Sequence, residues 1–180
     1  MIIVTDVDCT LNNLMQATLD IYNETYNTHY TLSGITKYCL NDCFEERTAS
    51  KLQKILNSEH IWDYVLPLHN AALYLNNLYS QGHEIYFATD NNPDTYGRKV
   101  RWIMKYFPWA DKAHIICIKH KWLLKADVLI EDFADNLIEA KDCCKILMDY
   151  PWNHDVRHDV HRCGNWDQVY KVITDKIRGD

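Results

Sequence analysis

The sequence predicts an α/β chain: a doubly wound parallel sheet with a small inserted helical cap. Three observations predict it. Short runs of consecutive apolar residues, many of them β-branched, recur along the chain, as strands buried on both faces of a parallel sheet do. Helical stretches separate most of these runs. Residues 13–66 break the alternation, because they carry no convincing strand and are too many for a simple crossover.

In order, the first strand is residues 2–6, opening on Ile2-Ile3-Val4-Thr5. The irregular segment then shows helix-like pieces over 14–26 and 45–56. A helix over 69–80 follows, with Ala72, Leu73, Leu75, Leu78 and Tyr79 at helical spacing and Gly82 just past its end as the cap. Further strands are expected over 84–89, 113–118, 128–130 and 144–148. Helices are expected over 93–106, 134–141 and 166–177, where Trp166 and Tyr170 are core residues. Residues 1–12 and 67–180 would form the catalytic core, and 13–66 a helical cap over the exit of the first strand. The alternative places those helices against the side of the sheet.

With 180 residues, 47% hydrophobic and 24% charged, the chain suits one globular domain with an insert. A formal net charge of −6 argues against a surface that coats nucleic acid, though not against a small anionic substrate. No segment reads as a signal peptide or a membrane span, so a cytoplasmic protein without a membrane partner is expected. The seven cysteines then read as reduced thiols. Cys39, Cys43 and the pair His161-x-Cys163 do not make zinc knuckles. His154, His158 and His161 read as a solvated loop. The oligomeric state is left open, a homodimer included.

The chemistry-bearing pattern begins where the first strand ends, at Asp6-Val-Asp8-Cys-Thr10. Two carboxylates at a buried strand exit are costly unless a cation sits with them. They suit Mg²⁺ and a carboxylate nucleophile; an Asp-rich turn without chemistry is the plainer reading of the triplet alone. The strand over 84–89 ends in Thr89-Asp90-Asn91-Asn92 before Pro93, a hydroxyl and free amides at a helix start that can cradle a phosphate or merely cap the helix. Lys119-His-Lys121 follows the third strand, and Asp127-Val-Leu-Ile-Glu131-Asp132 ends the fourth in a second acid pair. Two acidic strand exits side by side would repel one another without a cation. The ordered combination is far more specific than any member.

That order resembles the haloacid dehalogenase-like phosphatases. Their four motifs correspond to Asp6-Val-Asp-Cys-Thr10, Thr89, Lys121 and Glu131-Asp132. Within that superfamily the chain is most similar to the 5′(3′)-deoxyribonucleotidases, through Leu66-Pro-Leu-His-Asn-Ala71, Lys121-Trp-Leu-Leu-Lys-Ala-Asp-Val-Leu-Ile-Glu-Asp132, Asp149-Tyr-Pro-Trp-Asn153 and Asn165-Trp166-Asp-Gln-Val-Tyr170. The likeness covers nearly all of the chain except the cap. It implies an α/β core, a Mg²⁺ cofactor and hydrolysis of a phosphomonoester, a nucleoside monophosphate, through an aspartyl-phosphate. Asp6 would be the nucleophile and Asp8 the general acid and base. Lys121 would balance transition-state charge, and Thr89, Asp90 and Lys99 would hold the phosphate. Asp6, Asp8 and Asp132 would bind the metal, with Glu131 orienting its neighbours. Three positions depart from the pattern: Cys9 where glycine is usual, Glu131 where an aspartate is, and Asp90 where serine is common.

The cap would select the substrate. Among its aromatics, Tyr22, Tyr26, Tyr30, Tyr38, Phe44, Trp62 and Tyr64, the residues expected to stack on a base are Phe44 and Trp62. Two other readings stand beside this one: a phosphatase of sugar phosphates or other small phosphomonoesters, and a nucleotide-binding module without turnover. The presence of both Asp6 and Asp8 speaks against the latter. A dehalogenase would not need the metal-binding acids, and a phosphonatase would need a cap lysine such as Lys37, Lys51 or Lys54.

Overall fold

In the computed structural model, which describes residues 1–90, 95–156 and 159–179, six strands lie side by side and all parallel. They are Ile2–Thr5 (β1), Glu84–Thr89 (β2), Ile115–Cys117 (β3), Val128–Glu131 (β4), Cys144–Met148 (β5) and His161–Cys163 (β6). Their order across the sheet is β3-β2-β1-β4-β5-β6. The chain therefore winds outward on one side through β1, β2 and β3, then returns to β4 and winds outward on the other. The reversal falls between β1 and β4, and it leaves a crevice at their carboxyl ends.

The alternating pleat sorts the apolar runs between two cores. Ile3, Phe87, Ile130 and Ile146 join the core on one face, with Trp102 and Ile103 of helix Tyr96–Tyr106 (α4) and Trp166, Val169 and Ile173 of helix Trp166–Arg178 (α6). Val4, Ala88, Leu129 and Leu147 face the other way, onto Ala134 and Leu137 of helix Ala134–Glu139 (α5). Both faces are buried, which is why these strands read as continuous apolar runs.

Between β1 and helix Ala71–Ser80 (α3) the chain builds helices Leu14–Tyr26 (α1) and Glu46–Leu56 (α2) with short 3-10 turns. This insert leaves and rejoins the core at one point, where Asn12 bridges Pro67. There the Asn13 amide donates to the Leu66 carbonyl (3.1 Å) and the Leu68 amide to the Leu11 carbonyl (2.8 Å). Helix α3 starts at Ala71, not at residue 69, because Asn70 turns into the left-handed region (φ 63°). Gly82, with φ +85°, follows its end as expected. Residues 93 and 94, expected to open α4, lie outside the described residues.

Strand β6 corrects the sequence reading. His161 is not in a solvated loop but opens an edge strand, its register set by Met148 against Cys163. His154 lies just past a 3-10 turn beside Asp149 (3.3 Å), and His158 lies outside the described residues.

One buried amide ties the ends of β4 and β5 together. Asn153, 2% exposed, donates to the carbonyls of Asp132 (2.9 Å) and Met148 (2.8 Å) and accepts from Arg162 (2.7 Å). Asn153→Ala would leave two buried carbonyls unpaired, at about 1–3 kcal/mol each. Thermal unfolding should report a loss of about 2 kcal/mol or more; a change under about 0.5 kcal/mol, the range of ordinary surface substitutions, contradicts this assignment.

Candidate active site

Asp6 is the first residue past β1, and its amide still donates to the Ile130 carbonyl of β4 (2.9 Å). The sheet ladder thus carries its carboxylate to the crevice. Glu131 closes β4 and Asp132 follows it. Parallel pairing of β1 with β4 brings the two acidic strand exits together, so Asp6, Glu131 and Asp132 each offer an oxygen within 4.8 Å of the others, all three buried.

Lys121 enters this cluster from the turn after β3. Its buried ammonium lies 2.5 Å from Asp6 Oδ1 and 2.6 Å from Glu131 Oε1. Asn136 holds the assembly from α5, accepting from the Lys121 amide (3.2 Å) and donating to Glu131 Oε1 (2.7 Å). Glu131 Oε2 takes the amides of Asp132 and Phe133, each at 3.2 Å. Glu131 is therefore saturated by protein donors. Among the described residues, none donates to the Asp132 carboxylate, which is left open to the cavity.

The electrostatics follow from burial. It works against the Lys121 ammonium, but Asp6 and Glu131 outweigh it and hold the lysine well above its ordinary range. Burial and then the Asp6 charge push Glu131 up to about 7. Asp132 is driven well upward by burial and by Asp6 and Glu131. Asp6 is also raised by burial, with Lys121 opposing and Asp8 adding to the shift.

Lys99, on α4, organises the second half of the site. Its ammonium donates to Asp8 Oδ2 (2.6 Å), Thr89 Oγ1 (2.7 Å) and the Asp90 carbonyl (3.1 Å). Asp8 also receives Asn12 Nδ2 at 3.5 Å. Asn12 is fully buried, and its own oxygen takes the amides of Cys9 and Leu14, each at 3.1 Å. With all groups ionised, the carboxylates of Asp6, Asp8, Glu131 and Asp132 exceed the ammoniums of Lys99 and Lys121 by two negative charges. A divalent cation on the open oxygens of Asp6 and Asp132 fits that surplus and that hard-oxygen donor set.

Cys9 adopts φ 57°, where a glycine would be unstrained. Its side chain lines the cavity, and burial, followed by the Asp132 charge, pushes its thiol well up. Residues 91 and 92 of the expected phosphate cradle lie outside the described residues.

These groups floor a cavity of about 690 Å³, with Leu14, Met15, Ile35, Leu40 and Leu56 of the insert forming its roof. The insert therefore lies over the strand ends. The expected stacking residues are not on the cavity wall. Phe44 packs edge-on against Tyr30 inside the insert (5.1 Å), and Trp62 is 9% exposed and packs edge-on against Trp102 (6.2 Å). The aromatic surface comes instead from Tyr38, Trp122, Phe133 and Trp152. Tyr38 rests on Phe133 with centroids 4.2 Å apart. Tyr38 is 57% exposed overall; loss of solvent around its hydroxyl, then the charges of Asp132 and Asp6, push that hydroxyl's pKa upward, so it stays a donor. Tyr38 carried no signal distinguishing it from the other cap aromatics. Asn12 and Asn136 carried none at all, since an asparagine's partners depend on the fold.

Residues 1–178 match the family model for 5′ nucleotidase, deoxy (pyrimidine), cytosolic type C proteins. The 5′(3′)-deoxyribonucleotidase of Bacillus subtilis (strain 168) is 33% identical over 93 residues, which cover 51% of this chain and 53% of that protein. The chain thus spans about half the length of that relative. A 5′(3′)-deoxyribonucleotidase of Clostridium acetobutylicum is 29% identical over 176 residues, 96% of this chain and 94% of that one. In fold, the chain is similar to a haloacid dehalogenase-like hydrolase of Streptococcus pneumoniae (TM-score 0.63, 13% identity, 95% and 97% of the two chains). It is also similar to the hydrolase YfnB of Bacillus subtilis, solved with magnesium bound (TM-score 0.57, 15% identity, 96% and 97%). With the parallel sheet, the strand order and the acid-lysine cluster in place, the match over residues 1–178 shows that the chain belongs to the 5′-nucleotidase, deoxy (pyrimidine), cytosolic type C family, on a haloacid dehalogenase-like fold.

Proposed function

We propose that the chain is a Mg²⁺-dependent phosphomonoester hydrolase of nucleoside monophosphates, with 5′(3′)-deoxyribonucleotides as its substrate class. The observation that carries this reading is the Asp6 carboxylate, fixed at a strand exit by Lys121 at 2.5 Å beside the open Asp132 carboxylate. A carboxylate so held is aimed as a nucleophile. The names of the relatives supply the nucleotide, and the apolar and aromatic roof suits a base better than a bare sugar phosphate.

Asp6 attacks phosphorus, the bond from phosphorus to the sugar oxygen breaks, and Asp8 gives that oxygen its proton. Water then attacks the aspartyl-phosphate, Asp8 takes the water's proton, and inorganic phosphate leaves with Asp6 regenerated. Lys121 balances the charge that builds on phosphorus. Thr89, the Asp90 backbone and Lys99 hold phosphate oxygens. The carboxylates of Asp6 and Asp132 and the Asp8 carbonyl would hold Mg²⁺, with Glu131 keeping Lys121 and the Asp132 backbone in place. Bound there, Mg²⁺ supplies Lewis acidity and shields Asp6 from the incoming phosphate. The insert acts as the lid over 13–66, with Tyr38, Phe133 and Trp152 as base-facing surface in place of Phe44 and Trp62.

The test is phosphate release with Mg²⁺ from deoxy- and ribonucleoside monophosphates, sugar phosphates and an aryl phosphate. Release from deoxyribonucleotides is expected, and activity on sugar phosphates alone would replace the substrate class. Asp6→Asn should abolish turnover and leave thermal unfolding nearly unchanged; substantial residual turnover would sink the covalent route. Lys121→Met should lower kcat by roughly 10²-fold, as loss of one transition-state donor does.

The raised carboxyls also set a pH dependence. A group whose folded pKa exceeds its unfolded one stabilises the fold below the unfolded value and loses that contribution as pH climbs through the folded one. For Glu131 that window runs from its ordinary 4.5 to about 7, and Asp6 and Asp132 shift in the same direction. The ion-free protein should lose stability as pH rises through this window, and Mg²⁺ should restore it. The Mg²⁺-induced rise in Tm should thus be larger at about pH 8 than at about pH 5.5; equal rises contradict the assignment.

A further inference from the structure

Trp62 belongs to the 3-10 turn Glu59–Asp63 of the insert, yet it reaches α4 of the core. Lys99 Nζ lies 5.8 Å from the centroid of its ring, and Trp102, one turn further along α4, meets the ring edge-on. Two more contacts fasten the same segment to the same helix. Glu59 takes Arg98 Nη2 at 3.2 Å, and the Val65 carbonyl takes Trp102 Nε1 at 2.9 Å. Residues 59–65 thus clasp α4 on both sides of Lys99.

The Lys99 ammonium has three protons and three acceptors: Asp8, Thr89 and the Asp90 carbonyl. Its remaining surface needs a neighbour that favours a cation, competes for no proton and keeps water out, which an indole face provides. The Trp62 N–H is buried and has no acceptor among the described residues, so the ring's contribution here comes through its face.

We infer that Trp62 is a positioning residue that holds the Lys99 ammonium against Asp8 and Thr89, so that the insert acts on the phosphoryl end of the reaction as well as on substrate choice. This rests on the phosphatase reading of the site. It separates Trp62 from a base-stacking role, because a positioning residue affects every phosphate ester alike.

The test compares wild type, Trp62→Leu, Trp62→Phe, Lys99→Met and the Trp62→Leu/Lys99→Met double variant. It reads kcat and KM for a deoxyribonucleoside monophosphate and an aryl phosphate with Mg²⁺. Trp62→Leu should lower kcat about tenfold on both esters, within the range by which misplaced groups slow catalysis. Trp62→Phe should recover most of that loss, and in the Lys99→Met background Trp62→Leu should cost little more. A rise in KM for the nucleotide alone, or an equal fold-loss with and without Lys99, overturns the inference. If the leucine variant does not fold, Trp62→Met is compared with Trp62→Phe in its place. A wild type inactive on both esters overturns the phosphatase reading and this inference together. A wild type that is active while its Trp62 variants are unaffected overturns the inference alone.

Discussion

The structure is organised around a charge problem. Four carboxylates and two lysines meet at the carboxyl ends of β1 and β4, at the reversal point of a sheet buried on both faces. Burial, and then like charge nearby, raises the pKa of Asp6, Glu131 and Asp132. The fold answers part of the problem with fixed donors: Lys121 between Asp6 and Glu131, Asn136 behind them, and two backbone amides on Glu131. What is left over is two negative charges and the open Asp132 oxygens, a donor set that suits a metal ion.

Much of the scaffold serves to hold that centre still. Asn153 binds the Asp132 carbonyl, and Trp166 Nε1 reaches the Thr10 carbonyl at 2.8 Å. The loop after β1 is thereby anchored from the C-terminal helix. Asn12 closes the same loop from inside and starts the bridge at which the insert departs. The insert is fastened again by Lys37 to Asp155 at 3.1 Å and by Tyr38 on Phe133. With Glu59 and Val65 on α4, these contacts tie the roof of the cavity to its floor at several separate places.

How much of this is legible in the sequence depends on which physical signal each part leaves. Strands β1, β2, β4 and β5 are apolar runs because both their faces are covered, and they are read nearly to the residue. Strand β6 is read as loop because His161-Arg-Cys163 is a short, polar edge segment, paired on one side and specified by its neighbour β5. The acids and lysines stand out because buried charge is rare and its order along the chain is distinctive. The asparagines that orient them do not, since an asparagine in a turn looks the same whether or not its partners are buried carboxylates. Among the insert's aromatics, the split between cavity wall and internal packing follows from how α1, α2 and the 3-10 turns pack. The sequence reading therefore favours Phe44 and Trp62 over Tyr38, with no signal of which rings the packing leaves on the cavity wall.

The central claim is that the buried acid surplus is a site for one divalent cation. Calorimetric titration of Mg²⁺ into the purified protein and its Asp132→Ala variant tests it most directly. The account predicts binding of one ion per chain at neutral pH, with proton release and with loss of binding in the variant. Binding that survives removal of the Asp132 carboxylate, or no binding by the unaltered chain, would contradict it.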